Sequence, residues 1–137
     1  MPSEYRLKRR VQFYETDTAG IVHFSNYFRY LEEAEHALWR EAGLSISGGS
    51  DIGWPRIEAS FEYLRPLKFE DEFELHLRIV SKEPRIIRYE AVITKEGTRV
   101  AVGRLAIKCV IKKPGEAMRS IDIPPEISAR LDVSRQP

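Results

Sequence analysis

Only one stretch of this chain keeps a helical period, whereas its other apolar residues mostly alternate. Within residues 26–42, Tyr27, Tyr30, Leu31, Ala34, Ala37, Leu38 and Ala42 fall on one helical face. Ser25 or Asn26 stands where a helix start is capped, and Gly43 stands where a helix stops. Phe28 and Trp39 lie off that stripe, eleven residues apart and nearly in line. They predict a second buried face, set against another subunit; scattered surface aromatics are the alternative.

Around this helix the pattern has period two. Phe73, Leu75, Leu77 and Ile79 interleave with Glu72, Glu74, His76 and Arg78, the mark of a strand with one buried face. Ile57, Ala59, Phe61 and Tyr63 do the same against Glu58, Ser60 and Glu62. So do Leu7, Val11 and Phe13, with Arg9 as a charged interruption. Two more strands, at about 85–95 and 98–112, flank a predicted tight turn at Glu96-Gly97. The last is apolar on both sides (Val100, Val102, Leu105, Ile107, Cys109), as a central strand is, and Gly103 predicts a bend or bulge. Pro124-Pro125 opens a tail with one last helical turn before a frayed end.

The order is therefore strand, one long helix, four strands. One helix cannot cover two separate sheets, so the fold class is α+β: an antiparallel sheet of about five strands wrapped around the helix. A length of 137 residues suits one domain, 1–137.

Several functions are disfavoured at once. The net charge of +1 gives no general attraction to nucleic acid or an anionic membrane. No window approaches the ~18 apolar residues of a membrane helix. The first fourteen residues lack a signal peptide's apolar segment, so a cytoplasmic home is expected. Cys109 is the single cysteine, expected to be a small core residue, so an intrachain disulfide framework and a multi-cysteine zinc site are excluded. His36 and His76 read as solvated positions, and with no HExxH pattern no metal is expected. No glycine-rich nucleotide loop is present, so no cofactor is expected.

Between the first strand and the helix runs Glu15-Thr16-Asp17-Thr18-Ala19-Gly20-Ile21-Val22-His23-Phe24-Ser25. Ile21, Val22 and Phe24 predict a loop packed down on the protein or at a subunit interface. Asp17 precedes a pair of small residues where the chain can turn sharply, and the loop ends at the helix's free N–H groups. A carboxylate can attack a carbonyl or activate water, and N–H groups can hold an oxyanion. On composition alone, an ordinary Asx turn explains the loop equally well.

Residues 13–27 (Phe-Tyr-Glu-Thr-Asp-Thr-Ala-Gly-Ile-Val-His-Phe-Ser-Asn-Tyr) resemble the signature of the 4-hydroxybenzoyl-CoA thioesterase family of hotdog proteins. The likeness continues through Tyr30 and Glu33-Ala34 and resumes at Phe61-Glu62-Tyr63-Leu64-Arg65-Pro66-Leu67 with Asp71. It implies the hotdog fold and hydrolysis of a small acyl- or aroyl-CoA thioester to free acid and coenzyme A, the coenzyme being part of the substrate. Asp17 matches the catalytic carboxylate, as nucleophile or general base. Phe24 matches the position whose backbone N–H polarises the thioester carbonyl, and Tyr27 matches an aromatic near the pocket. The family also implies a homodimer or homotetramer with interfacial active sites. A bacterial branch has histidine where this chain has Phe24; here it is His23, one residue earlier, expected beside the substrate rather than at the reacting atoms.

Trp54, after the Gly48-Gly49 and Gly53 segment, is a candidate for the acyl pocket. Arg85 and Arg88, with Lys112-Lys113, are candidates for coenzyme A phosphates. Three other functions stay open. They are an acyl-ACP thioesterase, a non-catalytic acyl-CoA-binding protein, and a dehydratase, although the last requires an Asp–His motif absent here.

Overall fold

The computed structural model describes residues 1–48 and 50–135, so Gly49 lies outside the described residues. Its strands are β1 (Glu4–Arg10), β2 (Ile52–Gly53), β3 (Arg56–Tyr63), β4 (Glu72–Lys82), β5 (Ile86–Lys95), β6 (Thr98–Lys108), β7 (Val110–Ile111) and β8 (Arg119–Ser120). The helices are α1 (Asn26–Glu41) and the single turn α2 (Pro125–Ser128), with a 3-10 turn at Phe13–Glu15. The main sheet is antiparallel throughout, in the order β1-β4-β5-β6-β3, and carries α1 on one face. This is the one-helix wrapped sheet that the periodicities require. A second small sheet, β2-β7-β8, was not visible in the sequence pattern.

The core forms where alternation meets the helix. Phe73, Leu75, Leu77 and Ile79 of β4 and Ile87, Tyr89, Ala91 and Ile93 of β5 are buried against Tyr27, Tyr30, Leu31, Ala34 and Leu38. Gly43 ends α1 with φ +76°, and Glu96-Gly97 turns the β5–β6 hairpin with positive φ at both residues. No helix among the described residues is long and apolar enough to cross a membrane.

Five expectations are corrected. The first strand stops at Arg10, so Phe13 sits in the 3-10 turn with its ring exposed. Ile57, Ala59 and Tyr63 of β3 are exposed and Phe61 half-buried. The cause is position: β3 is the sheet's edge, while α1 lies over β1 and β4. Gly103 carries no bulge, since it pairs in register with Phe61 and Ala91. It is glycine because a Cβ there would come within 2.5 Å of the Phe61 ring. Trp39 needs no second subunit, being buried in this chain with its indole N–H donating to Tyr89 Oη at 2.9 Å. Neither Ser25 nor Asn26 caps α1 through its side chain; the Asn26 amide instead donates to Glu15 O.

Beside Trp39 lies an ion pair with a buried acid. Arg56 donates to both oxygens of Glu35, at 2.5 and 3.2 Å, and Glu35 is fully buried. Burial pushes the Glu35 carboxyl above the usual carboxylate range, and the Arg56 charge opposes that shift. The pair ties the start of the edge strand to the middle of the helix.

Candidate active site

The loop before α1 folds into a tight, self-bonded turn. Thr16 bridges Val22, Asp17 N–H donates to Ile21 O at 2.9 Å, and Gly20 N–H donates to Asp17 O at 2.9 Å. Gly20 takes φ +82°, the left-handed conformation glycine tolerates best. The Asx turn is present: Asp17 Oδ1 accepts the Ala19 N–H at 2.8 Å. One oxygen thus orients the exposed carboxylate, and the other, Oδ2, has no protein partner among the described residues.

Two neighbouring segments fix this loop. Val22 N–H donates to Leu67 O at 2.8 Å, and Ile21 bridges Lys68, joining the loop to the β3–β4 connection. On the other side Glu15, 5% exposed, acts as a hub. Its carboxylate accepts from Arg9 (2.7 Å), Tyr30 Oη (2.9 Å) and the Gln12 N–H (2.8 Å). Its carbonyl accepts from His23 N–H and the Asn26 amide. Arg9 also reaches Glu33 at 3.2 Å and lies over the Tyr30 ring. The charged interruption in β1 is therefore half of an ion pair. Neither partner was singled out from sequence, although Gln12-x-x-Glu15 has capping-box spacing and an inward Arg signals a buried acid.

Asp17 stands on the rim between two clefts. One, of about 690 Å3, is polar and includes Arg9, Thr16, His23, Arg29, Tyr30 and Glu33. The other, of about 430 Å3, is mainly apolar, formed by Ile21, Val22, Phe24, Tyr27, Tyr63 and Leu64, with Arg65 and Pro66 at its edge. Phe24 is 63% exposed, contrary to the expected packed-down side chain, and stacks on His23 at 4.5 Å. Its backbone N–H has no hydrogen-bond partner among the described residues. Tyr27 is buried, and its hydroxyl is pushed up to about 12, mainly by desolvation, with the Leu67 backbone opposing.

His23 and Tyr27 thus flank Asp17 from opposite clefts. His23 Nδ1 lies 2.7 Å from Ser25 Oγ and 3.3 Å from Ser25 N, an arrangement in which the ring accepts the Ser25 N–H when its proton is on Nε2. Trp54 is elsewhere, packed edge-on against Trp39 at 5.0 Å and lining neither cleft, because the core claims its ring. Arg85 and Arg88 are also outside both clefts and already engaged. Arg85 bonds Asp122 and Ser120, and Arg88 bonds Glu83 and Glu58. Among the described residues no cluster of three His, Cys, Asp or Glu side chains could hold a metal. The site offers a carboxylate, an unpaired N–H and two grooves leading away from them, a set of parts suited to acyl transfer.

Comparison with known proteins agrees with this chemistry. Residues 11–131 match the thioesterase-like superfamily. A protein of Aquifex aeolicus (strain VF5), carrying a provisional esterase name, is 40% identical over 129 residues, 93% of this chain and 95% of its own. A 1,4-dihydroxy-2-naphthoyl-CoA hydrolase of Prochlorococcus marinus (strain NATL2A) is 28% identical over 120 residues, 79% of this chain and 75% of its own. The solved structure of a gentisyl-coenzyme A thioesterase superposes with a TM-score of 0.80 at 28% identity, covering 90% of this chain and 98% of that one. The family expected from residues 13–27 is the family found: the chain belongs to the thioesterase-like superfamily, has the hotdog fold, and is a thioester hydrolase.

Proposed function

We propose that the protein hydrolyses a small acyl- or aroyl-CoA thioester, with the Asp17 carboxylate at the reacting carbon. The observation that carries this reading is the position of Asp17, shared by a polar and an apolar cleft beside the unpaired Phe24 N–H. A thioester laid across that rim sends its acyl group into one cleft and its pantetheine arm into the other.

Either Asp17 Oδ2 attacks the carbonyl carbon, or it takes a proton from a water that attacks. In both routes the carbon–sulfur bond breaks, and the sulfur leaves as thiolate and is protonated. Direct attack leaves a mixed anhydride on Asp17, which water then hydrolyses to the free acid and the regenerated carboxylate. Attack by water gives the free acid at once, with the proton held by Asp17 passing to the sulfur. The carbonyl oxygen gains negative charge at the attack, and Phe24 N–H at the start of α1 is the donor that meets it. His23 Nε2–H is placed to touch substrate from the polar side, and Tyr27 from the apolar side. No metal or added cofactor enters these steps.

An aromatic acyl group is favoured, since Phe24, Tyr27 and Tyr63 offer ring faces and edges to it. Both named relatives act on hydroxylated aromatic CoA esters by name. A second copy on the open edge of β3 gives the dimer or tetramer of this reading, and the buried Cys109 suits a reducing cytoplasm. Arg85 and Arg88 serve coenzyme A only by exchanging their acidic partners for phosphate.

The test is thiol release from a panel of aromatic and aliphatic CoA esters, wild type beside Asp17→Asn. The reading expects turnover by wild type and a loss of ~10²-fold or more in the variant. Coenzyme A binding without turnover in either protein would replace it with the binding-protein alternative, and preference for acyl-ACP with the carrier alternative.

A further inference from the structure

Phe24 is tied to the rest of the fold by an unexpected residue. Tyr63, the last residue of β3, donates from Oη to Phe24 O at 3.0 Å, across 39 positions of sequence. Neighbouring residues have their own anchors: Val22 N–H on Leu67 O, His23 N–H on Glu15 O, and Asn26 N–H on His23 O. Phe24 has no such anchor, since its N–H is unpaired and its ring lies on the surface against His23. Apart from helical bonding, the Tyr63 hydroxyl is its one hydrogen-bonded tie to the fold among the described residues.

Tyr63 is well placed to act as a fixed strut. Its ring meets Tyr27 edge-on at 4.9 Å and stacks near Phe61 at 6.1 Å. Its backbone pairs with Ala101, and the next two N–H groups, of Leu64 and Arg65, both donate to Val100 O. The sheet therefore holds the ring, and the ring holds Phe24. Tyr63 also walls the apolar cleft that Asp17 and Phe24 share. Because its hydroxyl proton is committed to Phe24 O, it presents ring rather than donor to a ligand there.

We propose that Tyr63 is a positioning residue for thioester hydrolysis, fixing the Phe24 backbone from the edge strand so that its N–H is preset for the oxyanion. The proposal rests on the reading of Phe24 as oxyanion donor given above. An oxyanion donor works because it is oriented before charge develops, so a loosened donor lowers kcat more than it alters ground-state binding.

The experiment compares wild type, Tyr63→Phe and Tyr63→Leu on the best CoA ester, with thermal melting and amide hydrogen exchange on each. Tyr63→Phe keeps the ring and removes the strut. Its kcat is expected to fall about tenfold, a fraction of what losing an oxyanion donor outright costs. KM should stay within about twofold and the melting temperature within about 2 °C, with faster exchange of the Phe24 and Ser25 amides. Tyr63→Leu, which also loses the cleft wall, should raise KM as well. Turnover by wild type with an undiminished kcat in Tyr63→Phe overturns the role of Tyr63 alone. Equal loss in kcat and melting temperature overturns it too, as damage to the fold. Absence of turnover in wild type overturns the hydrolase reading, and the Tyr63 role falls with it. Intact turnover in a Phe24→Pro variant, which lacks that N–H, overturns the oxyanion reading on which the proposal rests.

Discussion

The Glu15 carboxylate and the Tyr30 hydroxyl meet at 2.9 Å inside the protein, and the Asp17 loop hangs from that contact. Glu15 also holds Arg9 and the Gln12 N–H, so removing its carboxylate leaves three donors short of an acceptor. Glu15→Ala is expected to destabilise by about 2–4 kcal/mol, reduced from the fully buried case because Arg9 is partly solvated. Urea unfolding measures this directly, and an unchanged midpoint would remove Glu15 from its place as the loop's anchor. Glu15→Gln, which keeps acceptor capacity for Tyr30, should lose about half as much.

Asp17 differs from Glu15 in being exposed, with one internal bond from Ala19 N–H. Asp17→Asn retains an oxygen for that bond. Its melting temperature is therefore expected within about 2 °C of wild type, corresponding to less than ~0.5 kcal/mol, even as turnover falls by ~10²-fold or more. A large drop in melting temperature would mean that lost activity reports lost structure.

Gly103 faces the Phe61 ring, which is wedged among Tyr27, Phe28 and Tyr63 and has little room to retreat. Gly103→Ala is expected to cost about 1–3 kcal/mol through overpacking, despite the entropy alanine saves in the unfolded chain. Because two of these rings, Tyr27 and Tyr63, line the apolar cleft, KM should rise too. A variant as stable as wild type would show that the ring moves freely.

Alkaline pH probes the same cluster. Burial raises the Tyr27 hydroxyl to about 12, and pushes those of Tyr30 and Tyr89 well above the usual tyrosine range. The fold keeps these groups neutral, whereas in the unfolded chain they ionise near pH 10. Their contribution to stability is thus complete below about pH 10 and is lost as pH rises through 12. Tyrosinate absorbance between pH 10 and 11 should fall short of the six tyrosines present. The remainder should appear together with loss of the helical signal. Smooth titration of all six near pH 10 in an intact fold would contradict the burial.

The helix limits, the succession of the long strands along the chain, the Glu96-Gly97 turn and the Asp17 loop could be read from local pattern, because period and turn residues act over a few positions. What escaped depends on distant partners. Period two gives a strand's faces but not its neighbours, so β3 looked like a core strand although it is an edge. Trp39 appeared to need another subunit because its partner, Tyr89, lies 50 residues away. Arg85 and Arg88 looked free for phosphate because Asp122 and Glu58 are invisible to a local reading. Tyr63 stood out only as a strand position and as part of the family pattern, and its bond to Phe24 spans 39 positions of sequence.

The placement of Asp17 between two clefts also bears on how such a chain diversifies. Val22 and Leu64 line one groove only, Arg29 and Glu33 the other, and the loop that separates them is held by backbone bonds within itself and to Leu67 and by the bonds of Glu15. Substitutions can therefore reshape what one groove accepts while leaving the opposite groove and the loop unaltered. Selectivity and scaffold can drift separately here, a modularity that a single enclosed pocket would not allow.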